Sequence, residues 1–535
     1  MKKYVLVGVS AYTEKLLTMI PPDEVEFIWD ARHGGKELAG KKIYSNIDPD
    51  SMSKVLEMCE FVLVSFGQTD VDYFKNNKIP FLFAPELLLK RGIYHLGTHQ
   101  APKPDIYPYP IMELMNTYGR NEFAPVSDEE YDEFAKLADQ YKKIIVGVMH
   151  PTSIGGFGWT CGRICEYMEM NKGEDVLQAV CKGWHPVMET EKKFEIPNEY
   201  IYHKMEEMFP IINKSNVNLW CMYICRNMDK LQVIDYNGAL TLTKTQAHEF
   251  FSTPGLAIPR AKPPLNRLTF TMEEQRKGEE LAHGMGITRN FVCIYARDNA
   301  YVRTTQQNIP EDFFKEAEKY RNSDINKFSL TARNLEELGI QSVRMGSIVA
   351  DKYTGTGVDY SNINPSDFMD AYLFSQCKFS VLDTSGIATI PTELFSKPIV
   401  AIHTPTIMVW HGDIAGLYHI IVFRRVYSSK LKRNLSLREL MKPCEELNYY
   451  IYNFNPYWNE QDIEIISESQ EEIWEAAEEM YNILNGTQRY TKEDLELRER
   501  YRALIWEHLK RSPDLDALQG YPSISWLRKN QWFLE

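Results

Sequence analysis

The chain has 535 residues, with 60 Lys and Arg against 74 Asp and Glu, a formal net charge of -14, 44% hydrophobic residues and 25% charged ones. Such a balance excludes a disordered, collagen-like or nucleic-acid-scaffold protein: the apolar fraction suffices for packed cores, and an acidic surface repels phosphate backbones. At roughly 150 residues per domain the length predicts three or four structural units, and any small anionic ligand has to be met by local basic groups rather than by the overall field.

In chain order, Tyr4–Ser10 (YVLVGVS) is a buried-strand run, AYTEKLLTMI an amphipathic helix and VEFIWDA a second strand ending at Asp30. FVLVSF and FLFAPELLL continue the alternation before Pro and Tyr crowd residues 102–110 into a linker. The second stretch opens with a charged helix from Asp128, then a strand Ile144–His150, a Gly-rich turn and a helix through Met170. The Pro-rich segment Ala257–Phe270 separates it from a third alternation of strands and helices, FVCIYARD, SVRMG, FSVLDTSG and PIVAIHTP, followed by an acidic helix after Ser469 and the tail YPSISWLRKNQWFLE as packing elements. The expected segments are 1–125, 126–285, 286–485 and 486–535, in an α/β multidomain protein.

No apolar run approaches the roughly 18 residues of a bilayer-spanning helix. The opening MKKYVLVGVSAYTEKLL has the basic and apolar parts of a secretory leader, but Glu14 and Lys15 interrupt it and no small-residue cleavage site follows. Nine cysteines without such a leader predict reduced thiols and a cytoplasmic address. Cys161 with Cys165, and Cys221 with Cys225, are spaced i,i+4. Four thiolates could bind zinc, yet that spacing on a helix more often marks small buried residues, and no metal is expected.

The densest signal is Phe379–Pro405, where a strand ends at Asp383 and the small residues Thr384, Ser385 and Gly386 lead into a helix before the next strand. This aims amides at the strand's carboxyl end, which suits a phosphate; an ordinary capped strand-to-helix turn is the alternative. Arg297 follows a strand, where its planar guanidinium could bridge phosphate oxygens or pair with Asp298 or Asp324. Arg321 and Asp324 lie in a polar run that binds ligand or clamps loops, and Arg344 ends a strand beside Gly346. His150 ends another strand as a candidate general base or a loop anchor, ahead of Gly155, Gly156 and Gly158 in a loop able to approach a sugar or phosphate. Asp30 could contact a ribose, although GVSAYTE keeps only Gly8 of a dinucleotide fingerprint, which disfavours an oxidoreductase.

The D-T-S-G-x-x-x-I-P-x-x-L-F-x-x-P-I-V-A pattern resembles the donor-phosphate turn of metal-independent, two-domain glycosyltransferases of the GT-B fold, including heptosyltransferase-like and fucosyltransferase-like branches. IYARDNAYVR (Ile294–Arg303) and the block Tyr320–Ser347 resemble bacterial glycosyltransferases of surface-polysaccharide loci, so the resemblance covers roughly the second half of the chain. It implies an N-terminal Rossmann-like accessory unit, a GT-B acceptor-side domain and a GT-B nucleotide-sugar domain. It implies transfer from a nucleotide sugar to a glycan or lipid-linked acceptor without a cofactor, with Arg297, Arg321, Asp324, Arg344, Gly346, Thr384, Ser385 and Gly386 on the donor and His150 and Arg297 catalytic. A nonenzymatic nucleotide-sugar-binding or scaffold protein of polysaccharide assembly is the alternative.

Overall fold

The computed structural model describes residues 2–9, 11–64, 73–91, 126–149, 154–182, 196–209, 217–227, 232–236, 239–243, 268–305, 322–383, 385–404, 419–440, 462–508 and 520–535. It is a mixed α/β protein whose packing forms two compact units. One comprises Met1–Thr152, Asn171–Phe194 and Met208–Leu256, and the other Ser153–Met170, Glu195–Glu207 and Ala257–Glu535. The units therefore interleave along the chain, whereas the sequence reading laid its segments end to end.

The first unit holds two sheets. β1 (Lys3–Val7), β2 (Val25–Trp29), β3 (Glu37–Leu38), β4 (Lys41–Tyr44), β5 (Cys59–Leu63) and β6 (Phe81–Phe83) assemble in the order β3-β4-β2-β1-β5-β6, parallel except for the β3–β4 pair. β7 (Lys143–Met149), β8 (Val176–Lys182), β9 (Gln232–Tyr236) and β10 (Ala239–Thr243) form a smaller sheet ordered β8-β7-β10-β9. There β10 runs antiparallel to both neighbours, so this sheet is mixed, not purely parallel as a doubly wound unit would be. One apolar core runs through both sheets, from Val5 and Phe61 to Phe134, Trp220 and Tyr223. The Phe134 ring stands edge-on to Trp220 and Tyr223, with centroids 4.5 and 5.0 Å away.

The second unit is built on β11 (Phe291–Tyr295), β12 (Gln341–Arg344), β13 (Val358–Asp359), β14 (Ser380–Asp383), β15 (Ile399–Thr404), β16 (His419–Phe423) and β20 (Gly520–Pro522), with β17 (Arg425–Ser428), β18 (Arg433–Asn434) and β19 (Ile463–Ile466) in a small antiparallel sheet. The large sheet is parallel throughout, ordered β13-β12-β11-β14-β15-β16-β20. Its central strands read as unbroken apolar runs because helices cover both faces of such a sheet. The chain leaves β11 in one direction for β12 and β13, then crosses back to β14 and continues the other way. The order reverses between β11 and β14, and in open parallel sheets ligands bind outside the carboxyl ends at such a reversal.

Flanking helices begin where their caps dictate. Thr271 and Ser469 each accept the N3 amide while Glu274 and Glu472 reach back, giving reciprocal caps for the helices Met272–Gly284 and Gln470–Leu484. The C-terminal tail belongs to the core: β20 extends the sheet beyond β16, and Trp526, fully buried, packs its ring against Phe423 and Phe533 at 5.8 and 5.0 Å. Trp526→Ala should destabilise the protein by about 3–5 kcal/mol through loss of this buried ring. Trp526→Phe should cost clearly less, since the indole N–H makes no hydrogen bond that would be lost. Equal losses in denaturant unfolding of the two variants would contradict this.

Candidate functional site at the sheet reversal

Tyr295 and Leu382 lie side by side in the β11–β14 register, so the residues after both strands emerge together. Asp383, at the end of β14, is 1% exposed. Its Oδ2 accepts from the backbone N–H of Arg297 and, at 2.6 Å, from the Ser323 hydroxyl. The Ser323 amide in turn donates to the Arg297 carbonyl at 2.9 Å. The Arg297 peptide is thereby held from both sides. Burial pushes the Asp383 carboxyl up from its ordinary value, opposed by Ser323, the Arg297 amide, Ser385 and the Arg297 charge.

Around this clamp stand three buried arginines. Arg297 is 8% exposed, Arg344 at the end of β12 is 1% exposed, and Arg424 directly after β16 is 4% exposed. Arg344 pairs with Asp359 of β13 at 3.3 Å, and Asp359 also accepts from Ser361 and Asn362 at 2.5 and 2.7 Å. Arg424 donates to the Asn322 carbonyl at 2.7 Å; burial lowers its proton affinity, against the pull of Glu468 and Asp383. Burial also raises the Tyr295 phenol, whose surroundings include Asp383, Arg297, Asp298 and Arg344. Asp351 is raised by burial and by the nearby Asp298 and Asp324. Cations and carboxylates thus alternate along this edge instead of forming a purely basic pocket.

Several expectations meet a different geometry. Asp324 caps the 3-10 turn Ile325–Phe328 by accepting the Asn326 amide at 2.9 Å, and Asp298 accepts the Ala300 and Ala350 amides at 2.8 and 2.7 Å, so both carboxylates tie loops. Gly346 has φ 132°, a conformation that favours glycine, and a Cβ there would meet Val349 at 2.8 Å. Ser385 and Gly386 follow β14 as expected, but the following helix is only the 3-10 turn Gly386–Ala388 and the five-residue π turn Ile390–Leu394. Pro391 has no N–H to continue an α-helical ladder. His150, Arg321 and Thr384 lie outside the described residues.

The glycines expected in a loop are helical. Gly155, Gly156 and Gly158 sit in the first turns of the helix Ile154–Met170, which packs on the turns after β14. A Cβ on Gly155 would stand 2.6 Å from the Gly386 Cα, one on Gly158 2.3 Å from the Thr389 Oγ1, and one on Gly162 2.6 Å from the Glu393 Cβ. The Gly156 carbonyl accepts from Thr160 at 2.9 Å. The two glycine-bearing blocks do meet, through backbone contact: on the side facing Gly155, Gly386 has no room for a ligand. Cys161 and Cys165 are buried on the same helix, and Cys165 lies 3.5 Å from the Met205 sulfur. The side chains of Cys221 and Cys225 lie outside the described residues, and among the described ones no three His, Cys, Asp or Glu gather as a metal site.

In the first unit, Asp30 accepts the Val9, Arg32 and His33 amides at 2.8, 2.8 and 3.0 Å and the His33 ring at 2.8 Å. Burial alone would raise its pKa, but these donors outweigh it and hold the carboxyl below the usual range. Its acceptors are occupied by its own loop and by the Val9 amide after β1, as expected of a structural clamp rather than of a ribose contact.

No protein-family model matches the chain, and no curated protein matches it. Among solved structures it is similar to the E. coli ADP-heptose lps heptosyltransferase II, at 12% identity over 52% of this chain and 90% of that one, with a TM-score of 0.29. It is also similar to a glycosyl transferase family 9 protein of Veillonella parvula DSM 2008, at 10% identity over 90% of this chain and 97% of that one, with a TM-score of 0.25. Superpositions this loose fix no correspondence between residues. No helix among the described residues is long and apolar enough to cross a membrane.

Arg424 carries one signal in the sequence, the recurrence of a basic residue straight after an apolar run, as at Arg297. Two outcomes are expected here. Gly386→Ala should destabilise by about 1–3 kcal/mol, because its Cβ would meet backbone atoms of Gly155 at 2.7 and 2.8 Å. Gly284→Ala, with open space at the end of its helix, should be neutral or stabilising in the same unfolding assay. For Asp383, a folded pKa above 3.8 means that its contribution is fully present below that value and is lost as pH rises through the folded value. The stability difference between wild type and Asp383→Asn should therefore move in favour of the variant from about pH 4 to pH 7; a flat difference would show that burial does not govern this carboxyl.

Proposed function

We propose that the chain is a glycosyltransferase of GT-B type that moves a sugar from a nucleotide-sugar donor to a glycan or other surface-polysaccharide acceptor without a metal ion. The observation that carries this reading is the reversal between β11 and β14. There the loop bearing Arg297 is fixed by Asp383 and Ser323 beside Ser385, at the place where parallel sheets take their ligands. The resemblance of the Asp383–Ala401 and Ile294–Arg303 blocks to glycosyltransferase donor sites falls on the same edge.

A departing nucleoside diphosphate gains negative charge, and in a metal-independent reaction cations and amides must receive it. Arg297 is the proposed phosphate partner, with Ser385 and the Gly386 amide beside it and Arg344 in a supporting position; the Ser385 amide itself is taken by the Asp383 carbonyl at 2.8 Å. Arg321, Asp324, Gly346 and Thr384 are proposed to line the donor side, and His150, the residue after β7, to act as general base toward the acceptor hydroxyl. The reading of a nonenzymatic nucleotide-sugar binder is favoured by one observation: Arg344 and Asp383 are already engaged in structural bonds.

The test pairs ligand binding with turnover. A panel of nucleotide sugars should raise the melting temperature of the full chain for at least one donor, and that donor should be transferred or hydrolysed in the presence of EDTA. Arg297→Lys should lower turnover by about a hundredfold, on the order of 3 kcal/mol, with little change in melting temperature, because lysine keeps the charge but loses the two-point contact. Stabilisation by a donor without any turnover would select the binder, and loss of stability with full activity in Arg297→Lys would remove Arg297 from the site.

A further inference from the structure

Tyr295, the last residue of β11, stands at the sheet reversal and has no part in the donor site proposed there. Val292 and Ile294 of β11, and Ala296 just beyond it, pack into the core that includes Phe328 and Ala332. Strand alternation therefore turns the Tyr295 side chain to the other face of the sheet. Its ring reaches the end of the neighbouring strand: a Cβ on Gly346, just after β12, would stand 3.6 Å from the Tyr295 Cε2. Gly346 brings no side chain to cover the ring.

The Tyr295 hydroxyl is a donor without an acceptor. The residue is half-buried, and its hydroxyl bonds to none of the described residues although that oxygen is not sealed from solvent. Burial is the main influence raising the phenol's pKa, Asp383 and Asp298 add to it, and Arg297 and Arg344 oppose it, so the group is a neutral O–H at neutral pH. The carboxylates nearby serve other donors. Asp298 accepts the Ala300 and Ala350 amides at 2.8 and 2.7 Å, and the Asp383 Oδ2 accepts the Arg297 amide and the Ser323 hydroxyl. A protonated phenol open to solvent among arginines suits an anionic oxygen, because it donates a hydrogen bond and has little to offer a cation.

We propose that Tyr295 is a phosphate ligand, its hydroxyl donating to a phosphate oxygen of a nucleoside diphosphate bound at the sheet reversal. The proposal rests on the reading of that edge as a donor site and adds a neutral donor to it. Such a donor gives the binding direction without adding to the mutual repulsion of Arg297, Arg344 and Arg424.

The test measures affinity by calorimetry on the full chain, with adenosine, guanosine, uridine, cytidine and thymidine diphosphates as probes and inorganic pyrophosphate as competitor. At least one diphosphate should bind the wild type, and Tyr295→Phe should bind it about tenfold more weakly with an unchanged melting temperature, since the ring stays and only the hydroxyl is lost. The inhibition constant of pyrophosphate, which carries phosphate oxygens alone, should rise by the same factor. Tyr295→Met, which also lacks the hydroxyl, should weaken binding at least as much and decides the matter should the Phe variant not fold. Unchanged diphosphate affinity in these variants would overturn the proposal. Weaker diphosphate binding with an unchanged pyrophosphate constant would overturn it too, by placing the phenol on the base or ribose. If Arg297→Lys weakens binding and Tyr295→Phe does not, the proposal for Tyr295 fails and the donor site stands; if the wild type binds no diphosphate, both fail.

Discussion

A carboxylate removed from water at the end of β14 organises the whole carboxyl edge of the large sheet. Asp383 is almost wholly buried, and its Oδ2 gathers the Arg297 amide and the Ser323 hydroxyl. Leaving a buried acid without its donors costs about 1–3 kcal/mol, so these segments separate only at a penalty. The loops after β11 and before the helix Ser329–Glu337 are therefore not independent. Arg424 joins the same assembly by donating to the Asn322 carbonyl, one residue before Ser323. Two stretches distant in sequence bond to this acid directly and a third, at Arg424, joins through Asn322, which makes Asp383 a positioning residue in the proposed reaction.

The second constraint is steric. The helix Ile154–Met170 lies so close to the turns after β14 that Gly155, Gly158 and Gly162 have no room for a side chain, and Gly386 is hemmed in from the opposite direction. Glycine in a helix interior is destabilising by roughly 0.5–1 kcal/mol relative to alanine, and here close backbone approach offsets that cost. The contact fixes one side of the Ser385–Gly386 turn, and the Ser385 amide closes the turn from within by donating to the Asp383 carbonyl at 2.8 Å. A rigid turn of this kind favours preorganised binding, because little conformational entropy is lost when a ligand arrives.

Strand and helix identity was legible wherever residues were apolar on both faces or capped in the usual way. FVCIY, SVLD and IVAIHT are continuous apolar runs or nearly so, and the acidic helix after Ser469 carries its own reciprocal cap. The role of the glycines was not legible. G-G-F-G reads as a loop by composition, and only the partner glycine 231 residues away, Gly386 against Gly155, shows that a helix needs them. The short turns after β14 are likewise hidden, because the stretch expected to be one helix contains Pro391, which removes a backbone donor there. Arg344 and Asp324 stood between ligand and scaffold roles in sequence. Their ion pair and cap are tertiary facts that no local pattern encodes.

The mixture of charges along this edge bears on how a diphosphate could be held. Arg344 has Asp359 beside it, and Arg424 has Glu468 and Asp383, so much of the positive potential is balanced before any ligand arrives. An uncompensated cluster of guanidinium groups would repel itself in a poorly solvated site and would bind any anion without discrimination. Compensation lowers affinity for a bare phosphate but leaves directional donors in place, and those matter most when charge develops on an oxygen at a fixed position. In the proposed transfer, that arrangement works through the charge that grows as the sugar leaves rather than through the charge the donor already carries. It thereby favours the transition state over the bound ground state, which is the condition for a faster chemical step.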